Sequence, residues 1–148
     1  MKKGMVVFGV KEGSIAEELG LQKGDVILSV NGIQPKDIIE LSFIMQDENI
    51  NLAVKKAPQI QKDGSILPGE AELFEIEKDE DEDLGIDFEC AVFDGIKPCL
   101  NKCIFCFVDQ QPKGLRESLY VKDDDWRTSY LQGTYITGTN LKEEDWQR

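Results

Sequence analysis

"GSIAEELGLQKGDVILSVNG", residues 13–32, carries the densest local instructions in this chain. Ser14 stands three positions before Glu17, the spacing of a capping box. The hydroxyl and the carboxylate satisfy backbone donors that a first helical turn leaves unpaired. Gly20 stands where such a helix stops, because glycine enters the left-handed conformation without a Cβ clash. Gly24-Asp25 then predicts a turn and Val26–Val30 a strand. Asn31-Gly32 predicts a tight turn suited to positive φ.

The surroundings extend this alternation of strand and helix. Upstream, Met5–Val10 is apolar and β-branched, a strand. Downstream, Asp37 is placed to cap a helix from Ile38 to Met45, with Ile38, Leu41 and Met45 on one face. "INLAV" then puts Ile50, Leu52 and Val54 on one side of a strand. "ELFEI" puts Phe74 and Ile76 on one side and Leu73 on the other. These two runs predict a hairpin joined by a long polar connection containing Pro58, Gly64, Pro68 and Gly69.

Residues 1–79 resemble a PDZ domain of the bacterial protease-associated kind, through the "GSIAEELG" helix, the "LQKGDVILSVNG" strand and turn, the second helix and the closing β pair. The resemblance implies an α+β domain to which a peptide adds as an extra strand. The position expected for that peptide is beside Val6, Val7 and Phe8, against the second helix. One feature departs from the pattern. Only "KKGM" precedes the first apolar run, so both the glycine-rich carboxylate loop and the first strand look clipped. The domain therefore reads either as a peptide binder or as a docking piece for its own chain.

At 148 residues the chain has room for one ordinary domain or two small ones. No apolar run approaches the length needed to span a bilayer. The N-terminus reads as a strand and not as a signal peptide, which predicts a cytoplasmic, reducing setting with no membrane partner. The net charge of −12 argues against nucleic acid as a partner. The absence of histidine excludes a Ser-His-Asp triad, a Cys-His pair and a His-ligated zinc. The acidic block Glu77–Asp83 reads as a solvated linker. It has no turn-forming glycine of the kind a calcium loop needs.

What remains is cysteine chemistry. "CLNKCIFCF", residues 99–107, places Cys99, Cys103 and Cys106 in the spacing C-x3-C-x2-C. Gly95 and Pro98 imply a loop leaving a strand, which can fold three sulfurs toward one point. Three thiolates suit a [4Fe–4S] cluster with one iron left without a protein ligand. Zinc held by four thiolates, recruiting Cys90, is the competing reading. Cys90 otherwise reads as a small hydrophobe in a strand.

The cysteine stretch resembles the radical S-adenosylmethionine (radical SAM) signature, including an aromatic residue, Phe105, before the third cysteine. That resemblance implies metal ligation by Cys99, Cys103 and Cys106, and a cofactor contact by Phe105 near the adenine. It also implies S-adenosylmethionine on the open iron, cleaved to a 5′-deoxyadenosyl radical by one electron from a low-potential donor. From about Asp79 to the end, "FDGIKPCLNKCIFCFVDQQPKGLRESLYVKDDDWRTSYLQGTYITGTNL" and its flanks are similar to uncharacterised bacterial proteins. In these a PDZ domain precedes a radical SAM-like core and a C-terminal domain of unknown function.

The resemblance implies that residues 80–148 begin a partial (β/α) barrel, giving an α/β chain overall. Barrels of this kind run to about 200 residues or more, so the core is expected to be incomplete and inactive alone. "TYITGTN" reads as a strand, which the resemblance implies ends beside the cofactor, with Thr137, Thr139 and Asn140 as cofactor-binding candidates and Gly138 as an anomaly in it. "KGLRESLYVKDDDWR" reads as a solvated helix and loop, in which Arg116 or Lys122 can hold an anion. Tyr120, Trp126 and Tyr130 read as core. Three functions follow: a radical SAM-type enzyme with a PDZ docking module, a non-enzymatic PDZ adaptor with a structural zinc site, or an electron-transfer iron–sulfur protein that needs Cys90.

Overall fold

The computed structural model describes residues 4–148. Lys2 and Lys3 of the "KKGM" start lie outside the described residues. The chain is mixed α/β and forms two compact units, Met1–Gly95 and Ile96–Arg148.

The first unit is a sheet with two short helices. Its elements are β1 (Met5–Val10), α1 (Ile15–Glu18), β2 (Val26–Val30), α2 (Ile38–Ile44), β3 (Asn49–Lys55), β4 (Gln59–Ile60), β5 (Ile66–Leu67), β6 (Ala71–Glu77) and β7 (Ile86–Phe88). Five strands form an antiparallel sheet in the order β6-β3-β2-β1-β7. The long connection from β3 to β6 folds back on itself as the small β4–β5 hairpin.

Local chemistry accounts for most of these boundaries. The Ser14 hydroxyl accepts from the Glu17 N–H at 3.3 Å, and the Glu17 carboxylate accepts from the Gly13 N–H at 2.7 Å. Asn31 and Gly32 both have positive φ, 51° and 75°, as the turn after β2 requires. Asp37 caps α2 by accepting from the Glu40 N–H at 2.9 Å. Strand alternation then builds the core. Ile50, Leu52 and Val54 of β3 are buried, Ile76 of β6 is buried, and Leu73 faces outward. Met5, Val7, Ile27, Val30 and Leu41 join the cluster, together with Ala16, Leu21, Leu84 and Phe93. Each fully buried side chain of this kind contributes about 1.5–3 kcal/mol.

The fifth strand is the departure from expectation. β7 pairs antiparallel with β1, Val7 opposite Phe88 and Val10 opposite Ile86. The strand that looks clipped at the N-terminus is thus supplied from downstream. Gly85 makes the approach possible. Its φ is 78°, and a Cβ there would lie 2.3 Å from the Ser14 Cβ. Backbone bonds fasten the same segment, from Lys11 N–H to Gly85 O and from Ala16 N–H to Leu84 O, both 2.9 Å. Lys78, inside the acidic block, is buried and its ammonium donates to the Asp79 and Glu80 carbonyls.

The second unit is held differently. It contains a 3-10 turn at Glu117–Tyr120, α3 (Trp126–Gln132) and α4 (Glu143–Trp146). An antiparallel bridge joins Pro98 to Asp123. Asp124, Asp125, Arg127 and Thr128 are its buried side chains among the described residues. The aspartates read as solvated are therefore interior, while Tyr130, read as core, is 75% exposed. The segment read as a strand, 134–140, has no strand pairing. Gly138 turns it instead, with φ 71°, which accounts for a glycine where a strand would want a larger residue.

Candidate functional site

The cysteine loop leaves a short two-stranded crossing. Cys99 N–H donates to Lys122 O at 2.8 Å and Asp124 N–H donates to Lys97 O at 3.1 Å. Behind it lies a buried ion pair. The Arg127 guanidinium donates to the Asp125 carboxylate through Nε at 2.9 Å and Nη2 at 2.6 Å. Lys97 N–H also donates to that carboxylate, at 2.9 Å. Burial works to raise the Asp125 pKa, but Arg127 and these N–H donors outweigh it and hold the carboxyl below its usual range.

Three of the residues expected near a cofactor meet on this crossing. The Thr137 hydroxyl donates to Asp124 Oδ2 at 2.7 Å and lies 2.9 Å from the Thr139 hydroxyl. Asn140 Nδ2 donates to the carbonyls of Pro98 and Asp124, both at 3.1 Å. Asn140 Oδ1 is buried with no hydrogen-bond partner among the described residues. Asn140 thus fastens Pro98, the residue before Cys99, and Thr137 fastens Asp124 on the facing strand. At the far side, Lys97 Nζ and Trp126 Nε1 both donate to Asp145 Oδ1. Burial opposes ionisation of Asp145, yet these donors and the Lys142 N–H hold its carboxyl well below the usual range.

All four cysteines are free thiols. Cys99 and Cys106 are half-buried and Cys103 is exposed. Cys106 N–H donates to Cys103 O at 3.1 Å, so a turn brackets the last two thiols. Lys122 donates to Asp109 at 2.5 Å. That hydrogen bond raises the ammonium pKa against the opposing effect of burial, with lesser help from the negative charge of Asp109, Cys106 and Cys99. Among the described residues no three Cys, Asp or Glu side chains are gathered into a group that could hold a metal. The donor set fits an iron–sulfur cluster in kind: three thiols, with no imidazole to compete. The turn at 103–107 is exposed: Ile104, Phe105 and Phe107 are 84%, 82% and 76% exposed. Phe105 therefore packs against no core. Cys90 has a role elsewhere. It packs against the core of the first unit and its thiol donates to Val92 O at 3.3 Å. Burial pushes its pKa up, away from the thiolate a metal needs.

A second site lies within the first unit. A groove of about 320 Å³ runs between α2 and β7, floored by Ile38, Leu41, Met45, Ile86 and Phe88. The place expected for a peptide, beside Val6, Val7 and Phe8, is not open. β2 occupies one edge of β1 and β7 the other, Val7 is fully buried, and the Phe8 ring is covered by the Lys23 ammonium at 4.3 Å. The outer edge of β7 is the sheet edge that faces the groove. The available signal for it was the alternation of Leu84, Ile86 and Phe88 around Gly85.

Comparison with family models matches a PDZ domain at residues 6–56 and a radical SAM-like domain at residues 78–148. The chain joins a PDZ domain to a radical SAM-like domain. The groove lies in the unit that carries the PDZ match, and β7, which forms one wall of it, lies in sequence that the radical SAM-like match covers. The cysteine trio and its polar support lie wholly inside the radical SAM-like domain. No curated protein matches the chain. Among the described residues no helix is long and apolar enough to cross a membrane.

Proposed function

We propose that this chain carries the cluster-binding portion of a radical SAM-type enzyme, with the PDZ domain as its docking module. The C-x3-C-x2-C run inside the radical SAM-like match carries this reading. Cys99, Cys103 and Cys106 are the ligands of a [4Fe–4S] cluster, and Phe105, Thr137, Thr139 and Asn140 are the residues nearest its second cofactor, S-adenosylmethionine. The chemistry such a cluster supplies is a single low-potential electron for reductive cleavage of the sulfonium.

The chain's own residues prepare the site. Lys122, paired with Asp109, places a positive charge by Cys99 and Cys106. Asn140 fixes the Pro98 backbone from which Cys99 projects, Thr137 holds Asp124 on the facing strand, and the Arg127–Asp125 pair fixes the crossing behind it. The exposed Ile104, Phe105 and Phe107 give the loop the apolar surface needed to exclude water once covered. The domain boundary at residue 79/80, a cytoplasmic setting and a low-potential electron donor belong to the same proposal.

Anaerobic reconstitution with iron and sulfide tests it. The expected result is ~4 irons per chain, broad visible absorption and an EPR signal on reduction. Cys99→Ala, Cys103→Ala and Cys106→Ala each lose all three, and Cys90→Ser keeps them. One zinc per chain with no iron uptake overturns the proposal in favour of a structural metal in a PDZ adaptor.

A further inference from the structure

The groove between α2 and β7 has a charge asymmetry that the resemblance to peptide-binding PDZ domains does not predict. We infer that it takes an extended segment from within a partner chain, basic residues alternating with apolar ones, and not a free C-terminus. The inference rests on the docking role proposed above.

Three observations carry it. The floor is apolar, Ile38 and Leu41 from α2 and Met45 at its end facing Ile86 and Phe88 from β7, so alternate side chains of an added strand find a dry surface. The end of the groove by Met45 is rimmed by four consecutive exposed carboxylates, Glu80, Asp81, Glu82 and Asp83. The cations beside them are already engaged. Lys11 is bonded to Asp83 at 2.6 Å, and the Lys78 ammonium is turned onto the Asp79 and Glu80 carbonyls.

The third observation concerns the backbone donors at that end. The Gly85 N–H, at the entry to β7, already donates to Asp83 Oδ1 at 3.1 Å. The chain's own carboxylate thus sits on a donor that a terminal carboxylate would seek. A free C-terminus brought there meets like charge and a satisfied amide. A segment with lysine or arginine side chains meets complementary charge, and its backbone pairs with the β7 edge without needing that amide.

Fluorescence anisotropy on the whole chain tests the inference with three labelled heptapeptides. The first alternates valine and lysine and is acetylated and amidated. The second has glutamate in place of each lysine. The third is the lysine peptide with a free C-terminal carboxylate. The lysine peptide is expected to bind at least about tenfold tighter than the glutamate peptide and no weaker than its free-acid form, with affinity falling as salt rises. The combined Glu80→Gln, Asp81→Asn, Glu82→Gln variant should erase the preference, and Ser42→Trp, which fills the groove from an exposed position, should abolish binding. A glutamate or free-acid peptide that binds tighter overturns the inference and leaves the docking role standing. Lysine-peptide binding that survives Ser42→Trp overturns it as surface attraction alone. If none of the three probes binds, the docking role fails with it.

Discussion

The two units solve the same problem with opposite chemistry. The first buries valine, isoleucine and leucine between a five-stranded sheet and two helices. The second buries Asp124, Asp125, Arg127 and Thr128, and among the described residues every buried hydrophobic side chain lies in the first unit. An apolar core tolerates imperfect geometry, because burial energy follows area and has no direction. A buried ionic network does not, because each unmatched charge retains its desolvation cost. The PDZ domain is therefore built for stability. The support under the cysteine loop is built for position.

That contrast can be broken most sharply at Arg127. Arg127→Ala should cost about 3–5 kcal/mol by stranding Asp125 in the interior. Hydrogen exchange should then rise first at the 97–99 and 122–124 crossing, and the β1–β3 amides should be unaffected. Replacing Arg127 and Asp125 together by Met and Leu should recover only part of the loss, because the Lys97 and Arg127 amides lose their acceptor, while degrading cluster assembly. Recovery of both would show that the pair is merely structural.

Leu52→Ala is the matching test in the apolar core. It should cost about 2–5 kcal/mol in thermal or urea unfolding and leave the reconstituted EPR line shape unchanged. Gly85→Ala probes the seam where β7 joins the PDZ sheet. Positive φ and the close approach to Ser14 predict a loss of about 1–3 kcal/mol, with peptide affinity falling as the strand detaches.

Acid should separate the units with the smallest effect of the series. Asp125 and Asp145 have pKa values lowered in the fold, so their stabilising contribution is fully present above the unfolded value, about 3.9. It is lost as pH falls below that and through the folded values. Asp83 is lowered too, first by its bond to Lys11, but that pair is exposed and contributes little. Near-UV signals from Trp126 should therefore change at a higher pH than far-UV signals from the sheet. Coincident transitions would argue against separate cores.

The same contrast explains what could be read in the sequence. Caps, turns and strand alternation are local, so Ser14, Asp37, Asn31-Gly32 and the β3–β6 pairing were legible from neighbouring residues. β7 was not, because its partner β1 lies some 80 residues upstream and its approach depends on one glycine packing against one serine. The polar core was not, because "DDDW" as a string has the composition of a solvated turn. Only Lys97 and Thr137 arriving from other segments, with Arg127 folded back onto Asp125, make it interior. The three thiols were legible as a motif, since their chemistry resides in identity and spacing.

The central claim is that three cysteines hold an iron–sulfur cluster with one iron open to S-adenosylmethionine. The most direct measurement is the EPR spectrum of the reconstituted, reduced protein before and after adding S-adenosylmethionine. The account predicts a shift of the cluster signal on addition, retained in Cys90→Ser. A signal unchanged by the cofactor, from a cluster that Cys90→Ser destroys, would contradict it.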